Sequence, residues 1–265
     1  MSLREQFQKD GYAIVPGVFS ADQIAELRRE LLKIFATPST LPMDSDRTPN
    51  GPGLRVELAV RHPQLRWLLV HPPLVAALRE VLGEDFVYLP ESSAHDSGYG
   101  GWHKDTTSQE VSGHRFQWSP DFAMLEAAIY LQENHRLYAG GLDVIPGSHR
   151  LKDRHINQPT DLKSRTKRRV ELALRRKTLR TRTGDLLLFD FRIDHRATQP
   201  ARFVKIPESH RKLAVFFACS ANNDHASSYR AFIAGRPDYT YLHGEHEYPR
   251  DLLDLTEKAG VQLMR

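Results

Sequence analysis

"FAMLEAAIYLQE", residues 122–133, can be read two ways. Its Ala, Leu and Met suit a helix, yet it stands between turn signals among short apolar or alternating runs. These are "FVYLPES" (86–92), "GLDVIPGSH" (141–149), "TLRTRTG" (178–184), "DLLLFDF" (185–191) and "KLAVFFACSAN" (212–222). Taken with those neighbours it reads as a strand. A mainly β fold follows, a sandwich or barrel with helices packed outside it.

Upstream the texture is helical. "GYAIVPGVF" (11–19) reads as a strand broken by Pro16 and Gly17. In "SADQIAELRRELLKIF" (20–35), Ser20 and Gln23 form a capping box, and Ile24, Leu27, Leu31 and Ile34 recur at helical spacing. The Pro, Ser, Asp and Gly of residues 36–53 predict a loop, and "PPLVAALREVLG" (72–83) predicts a second helix entered by prolines and stopped by Gly83. With no repeat and no linker, we expect a single domain: a helical part over about 1–85, a β core over about 86–225 and a C-terminal extension over about 226–265.

Composition excludes the extremes. Hydrophobic residues make up 40% and charged residues 26% of 265, so a disordered or fibrous chain is not indicated. "MSLREQFQKDGY" carries charge where a secretory signal needs an apolar stretch, and nowhere do 18 apolar residues run together. A cytoplasmic protein without a membrane partner is expected. Cys219 is the single cysteine, which excludes an internal disulfide and a cysteine-rich zinc site; within "LAVFFACSA" it reads as buried filler. The net charge of +4 does not call for nucleic acid, but "KSRTKRRVELALRRKTLR" (163–180) holds nine Lys or Arg and one Glu. We read it as a solvated surface loop leading into a strand. The alternative is a binding surface for an anionic or nucleic-acid partner, which lacks the interleaved aromatics of a single-strand binder.

Chemistry concentrates in "GGWHKDTTSQE" (100–110). In a strand, residues two apart share a face, so His103 and Asp105 can reach one point while Lys104 turns away. An imidazole and a hard carboxylate joined by a distant histidine make the two-histidine, one-carboxylate arrangement of non-haem Fe(II) sites. The best third ligand is His195 in "GDLLLFDFRIDH", 90 residues beyond Asp105 at the end of an apolar strand. With thirteen histidines present, spacing alone does not single it out.

The ordered set "FQKDGYAIVPGVFSADQIAELRREL", "GGWHKD", "AIYLQENHRLYAGGLDVIPGSHR", "GDLLLFDFRIDH" and "SHRKLAVFFACSAN" resembles the phytanoyl-CoA dioxygenase family over residues 7 to about 221. That resemblance implies a double-stranded β-helix, a jelly-roll or cupin-like core, and a dioxygenase using Fe(II), O2 and 2-oxoglutarate. It implies oxidation of an aliphatic C–H bond of a small-molecule metabolite, with succinate and CO2 released. His103, Asp105 and His195 match the metal ligands, and Arg211 matches the arginine that grips the distal carboxylate of 2-oxoglutarate, a task suited to its planar fork. The gap of 16 residues from His195 to Arg211 is longer than the family's usual one and contains Arg202 and Lys205 as rival cations. Asp105 favours hydroxylation, ring closure or desaturation over halogenation, because the related halogenases lack this carboxylate.

Other readings compete for the same residue types. A non-catalytic binding protein on this scaffold would use residues 163–180. A zinc hydrolase could use the triad, but no general base stands out. His243, Glu245 and His246 form a second carboxylate and histidine group close to the end of the sequence, better read as packing with Tyr239 and Tyr241. His149 reads as part of a turn, Trp102 as core, and Asp143 as a substrate contact.

Overall fold

A computed structural model describes residues 1–39, 41–48, 51–151, 161–244 and 246–265. Its strands are β1 (Tyr12–Val15), β2 (Gly53–Val56), β3 (Val87–Asp96), β4 (Met124–Tyr130), β5 (Leu142–Val144), β6 (Lys177–Thr178), β7 (Leu186–Asp190), β8 (His195–Ala197), β9 (Leu213–Ser220) and β10 (Gln262–Leu263). Among the described residues they form a major sheet, ordered β1-β7-β4-β9-β3-β10 with β2 also on β3, and a minor sheet ordered β6-β5-β8. Residues 122–133 supply β4, the strand reading, at the centre of the major sheet between β7 and β9.

The two faces of that sheet have separate tasks. Leu125, Ala127 and Ile129 of β4, Leu186 and Leu188 of β7, and Leu213, Val215 and Phe217 of β9 turn outward into one apolar core. The helices α1 (Leu3–Asp10), α2 (Ala21–Ala36), α3 (Leu58–Arg61) and α4 (Pro72–Leu82) lie on the N-terminal side of β3 and supply much of that core. In α2 the capping box is formed, Gln23 N donating to Ser20 Oγ and Ser20 N to Gln23 Oε1. Ile24, Leu27, Leu31 and Ile34 are its buried positions, each contributing about 1.5–3 kcal/mol by leaving water. The inward residues Ala128, Tyr130, Leu187, Phe189 and Ala214 meet Leu142 and Val144 of β5 across the gap between the sheets.

Several elements extend the sequence reading. The N-terminal part is helical, but it also lends β1 and β2 to the major sheet, and the C-terminal extension returns β10 to β3. Of "TLRTRTG" only Thr178 lies in a strand, in β6 beside Lys177. Residues 163–180 are corrected from a loop: they enter α6 (Leu162–Arg175), whose N-cap Asp161 accepts from Ser164 N at 2.8 Å. The run contains no Gly or Pro and is rich in Lys, Arg and Leu, all strong helix formers. Its solvated character stands, since most of its described residues are exposed, while Leu172 packs on Trp102 and Ile145. Three further α-helices, α5 (Thr107–Val111), α7 (Asp224–Ala234) and α8 (Arg250–Lys258), occur among the described residues. No helix among the described residues is long and apolar enough to cross a membrane.

Candidate metal centre

His103 does not sit in a continuous strand. It forms a single antiparallel bridge to His195, the first residue of β8, and the two backbones exchange N–H···O hydrogen bonds of 2.9 Å in both directions. Asp105 N donates to Phe191 O at 2.9 Å, pinning the next turn to the end of β7. Lys104 turns the other way, as expected, and is buried with its Nζ on the carbonyls of Ser148 and Arg192 and 3.4 Å from Asp194. Two residues far apart in sequence are thereby locked in register by backbone, before any side chain acts.

The three side chains converge. One ligand atom from each of His103, Asp105 and His195 lies within 4.8 Å of the others. His103 Nδ1 is 2.8 Å from Gly101 O and His195 Nδ1 is 3.1 Å from Ile193 O, so each ring is oriented by a carbonyl and presents Nε2 to the cluster. Those Nε2 atoms stand 3.5 and 3.6 Å from Asp105 Oδ1, while Asp105 Oδ2 is buried without a partner. Burial holds His195 neutral, its pKa down to about 4, and opposes charging of His103, where the hydrogen bond and charge of Asp105 prevail and raise the pKa. The histidine side chains are 6% and 41% exposed respectively, which explains the opposite outcomes. Two nitrogens, one oxygen and an orphaned buried carboxylate oxygen fit a divalent transition metal with open positions.

The cluster opens on a cavity of about 470 Å³ between the sheets. Ser93 and His95 of β3, Glu126 and Tyr130 of β4, Phe189 of β7 and Phe216 of β9 line it from the major sheet, and Leu142, His195 and Ala197 from the minor one. Lys212 enters from the start of β9. Its Nζ donates to Gly98 O and lies 5.3 Å from the ring centre of Tyr99 and 5.9 Å from that of Tyr130. Burial lowers its pKa to about 8. Burial also drives the Glu126 carboxyl well above the ordinary range, reinforced by the charges of Asp105 and Glu91.

The structure does not bring Arg211 into this cavity. Its Nε donates to Asp96 Oδ1 at 3.0 Å, its Nη2 to Asp96 Oδ2 and its Nη1 to Glu208 Oε1 at 2.9 Å. These carboxylates raise the guanidinium pKa further above its ordinary value. Arg211 lines a neighbouring cleft of about 860 Å³ that shares Pro52, Tyr99 and Lys212 with the metal cavity. Strand parity is the reason: Leu213, Val215 and Phe217 face the helices, so Lys212, Ala214 and Phe216 share the inner side. Arg202 stacks on exposed Phe203, and neither it nor Lys205 lines the cavity.

Of the remaining expectations, His149 serves the turn, with Nε2 3.1 Å from Gln8 O and its ring under Gly11, where a Cβ would stand 2.4 Å from Nδ1. Trp102 and Cys219 are buried in apolar clusters. Asp143 is not in the metal cavity: buried on the minor sheet, it pairs with Arg196 and accepts from Thr178 and Thr198. Tyr239 and Tyr241 stack on one another, and His243 Nε2 is 2.9 Å from Arg236 O. Glu245 lies outside the described residues, and His246 is buried against Tyr248. Sequence reading passed over Lys212 and Glu126. Both carried a signal, Lys212 its phase with the inner residues of β9, and Glu126 its place as the lone acid inside an apolar strand.

Two facing sheets with two histidines and an aspartate clustered between them define the double-stranded β-helix class. The sequence profile described as Phytanoyl-CoA dioxygenase (PhyH) matches residues 7–200, and the chain belongs to that family. An ectoine dioxygenase of Sphingopyxis alaskensis is 31% identical over 152 residues, covering 54% of this chain and 48% of its own length. One from Bordetella bronchiseptica is 27% identical over 154 residues, covering 55% and 48%. The chain thus spans about half the length of the curated relatives it matches. EctD from S. alaskensis, solved with 2-oxoglutarate and 5-hydroxyectoine, shares the fold with a TM-score of 0.61 and 22% identity over 83% of this chain and 76% of its own. The epimerase SnoN, solved with Fe3+, alpha ketoglutarate and nogalamycin RO, shares it with a TM-score of 0.60 and 20% identity over 82% of each chain.

Proposed function

We propose that this protein is an Fe(II)- and 2-oxoglutarate-dependent dioxygenase that oxidises an aliphatic C–H bond of a small-molecule metabolite, by hydroxylation or a related ring closure or desaturation. The observation that carries this reading is the convergence of His103, Asp105 and His195, with one carboxylate oxygen unpartnered, on the wall of the cavity between the sheets. Family membership, the similarity to ectoine dioxygenases and the fold shared with an enzyme solved with 2-oxoglutarate support it. The lone buried thiol of Cys219 suits a cytoplasmic enzyme.

His103 and His195 would hold the iron through Nε2 and Asp105 through its carboxylate. Bound there, the iron supplies the oxidising chemistry, with O2 as oxidant and 2-oxoglutarate as the co-substrate that leaves as succinate and CO2. We assign the distal carboxylate of 2-oxoglutarate to Lys212, the cation that lines the cavity, in place of Arg211, whose donors are engaged by Asp96 and Glu208. Phe189, Phe216 and Leu142 supply apolar wall against which the hydrocarbon part of a substrate can pack. The test is a metabolite panel scored for succinate release with Fe(II) and 2-oxoglutarate. Release that requires both, and that disappears in Asp105→Ala, is expected; release that persists in the variant removes Asp105 from the ligand set.

A further inference from the structure

One carboxylate in the cavity has no task in that scheme. Glu126 faces inward from the middle of β4, where its neighbours in register are Phe189 of β7 and Ala218 of β9, neither with a polar side chain. Its Oε2 is sealed from solvent and has no hydrogen-bond partner. Among the described residues, four other buried acids face a cation: Asp96 meets Arg211, Asp143 meets Arg196, Asp190 meets Arg192 and Asp194 meets Lys104. The charges that bear on Glu126 are those of Asp105 and Glu91, which share its sign. Lys212 is at the far end, over the Tyr130 ring, and Tyr130 is itself four residues from Glu126, about 14 Å of extended strand.

Charge balance sharpens the point. A ferrous ion, the Asp105 carboxylate and the keto-acid end of 2-oxoglutarate are together neutral, and the distal carboxylate is neutralised by Lys212. What is left is the Glu126 side chain, beside the metal cluster and without a cation. Burial and like charge favour its protonated form, and a cation arriving beside it would satisfy the charged one.

We propose that Glu126 is the specificity-determining residue of this cavity, and that the substrate presents to it a cationic nitrogen group, an ammonium, amidinium or guanidinium. The inference rests on the dioxygenase reading and narrows it to a substrate class. Apolar walls at Phe189, Phe216 and Leu142 then contact the hydrocarbon part that carries the oxidised bond.

The test separates the two claims. Purified protein receives Fe(II) and then 2-oxoglutarate under nitrogen, and the charge-transfer absorption that develops reports on the parent reading alone. n-Butylamine, n-butylguanidine and the neutral control n-butanol are then titrated into wild type and Glu126→Gln, following both the absorption and the melting temperature. Melting is also followed for the protein without additions, so the cation arm is read even if no absorption forms. We expect the two cations to perturb the absorption and raise the melting temperature of wild type while n-butanol does neither. Glu126→Gln should keep the absorption and bind the cations at least tenfold more weakly. Equal effects of n-butanol and the cations, no effect of the cations on wild type, or undiminished cation binding by Glu126→Gln would each overturn the inference.

Discussion

The two faces of the major sheet are built from the same strands by opposite rules. On the outer face Leu125, Leu186, Leu188, Leu213 and Val215 are all buried under helices and have no polar side-chain atoms to satisfy. On the inner face the same strands carry Ser93, His95, Glu126 and Tyr130, with Lys212 at the edge. Burial costs these groups, as the lowered pKa of His95 and Lys212 and the raised pKa of Glu126 record. The outer face holds the fold together, while the inner face gives up stability for the groups to which the proposed function assigns a metal, a dicarboxylate and a substrate. The contrast shows where the chemistry lies without reference to any relative.

Substitutions on the two sides should therefore separate activity from stability. The largest effect is expected from Asp105→Ala, which should abolish succinate release while lowering the melting temperature only modestly, since Oδ2 has no partner to lose and only the Oδ1 interaction with the two histidines goes. Leu188→Ala on the outer face should do the reverse, costing about 2–5 kcal/mol in denaturant unfolding with activity falling only as the folded fraction falls. Next come the adjacent cations. Lys212→Ala should raise the KM for 2-oxoglutarate roughly 10- to 100-fold, the equivalent of about 1.5–3 kcal/mol for a charged hydrogen bond. Arg211→Ala should leave that KM unchanged and cost about 3–5 kcal/mol of stability by stranding buried Asp96. The opposite pattern would return the co-substrate role to Arg211.

The pH dependence is a finer probe of the same pair. Burial lowers the folded Lys212 pKa from 10.5 to about 8, so the KM for 2-oxoglutarate should climb as pH rises past about 8 and the ammonium is lost. The stability penalty at this site has the opposite sense. The unfolded chain binds the extra proton between about pH 8 and 10.5, so the penalty is full below that window and fades as pH rises through it. A KM that stays flat to pH 9.5 would argue against Lys212. The smallest effect is Ser20→Ala, about 1 kcal/mol from the lost cap of α2, measurable in unfolding and without consequence for KM.

Legibility in the sequence followed the same division. The outer face was readable because apolar periodicity reports burial directly: α2 and α4 fall where their spacing and caps predict, and β4 is a strand despite its helix-forming residues. His103, Asp105 and His195 were readable as residue types, but their convergence depends on the backbone bridge between His103 and His195, which no local pattern encodes. Arg211 was chosen on motif, and the motif does not say which of two adjacent cations faces inward; the parity of β9 does. Residues 163–180 were misread because the density of charge was weighed and the absence of helix breakers was not. Glu126 was overlooked inside a run classed as apolar, although an acid in such a run is itself the anomaly.

Equilibrium binding of Fe(II) under nitrogen, followed by 2-oxoglutarate, tests the shared centre most directly. The account predicts one iron per chain and a charge-transfer absorption in wild type, with iron binding lost in both His195→Ala and Asp105→Ala. Iron held as tightly by either variant as by wild type, or no absorption when wild type receives both additions, would contradict it.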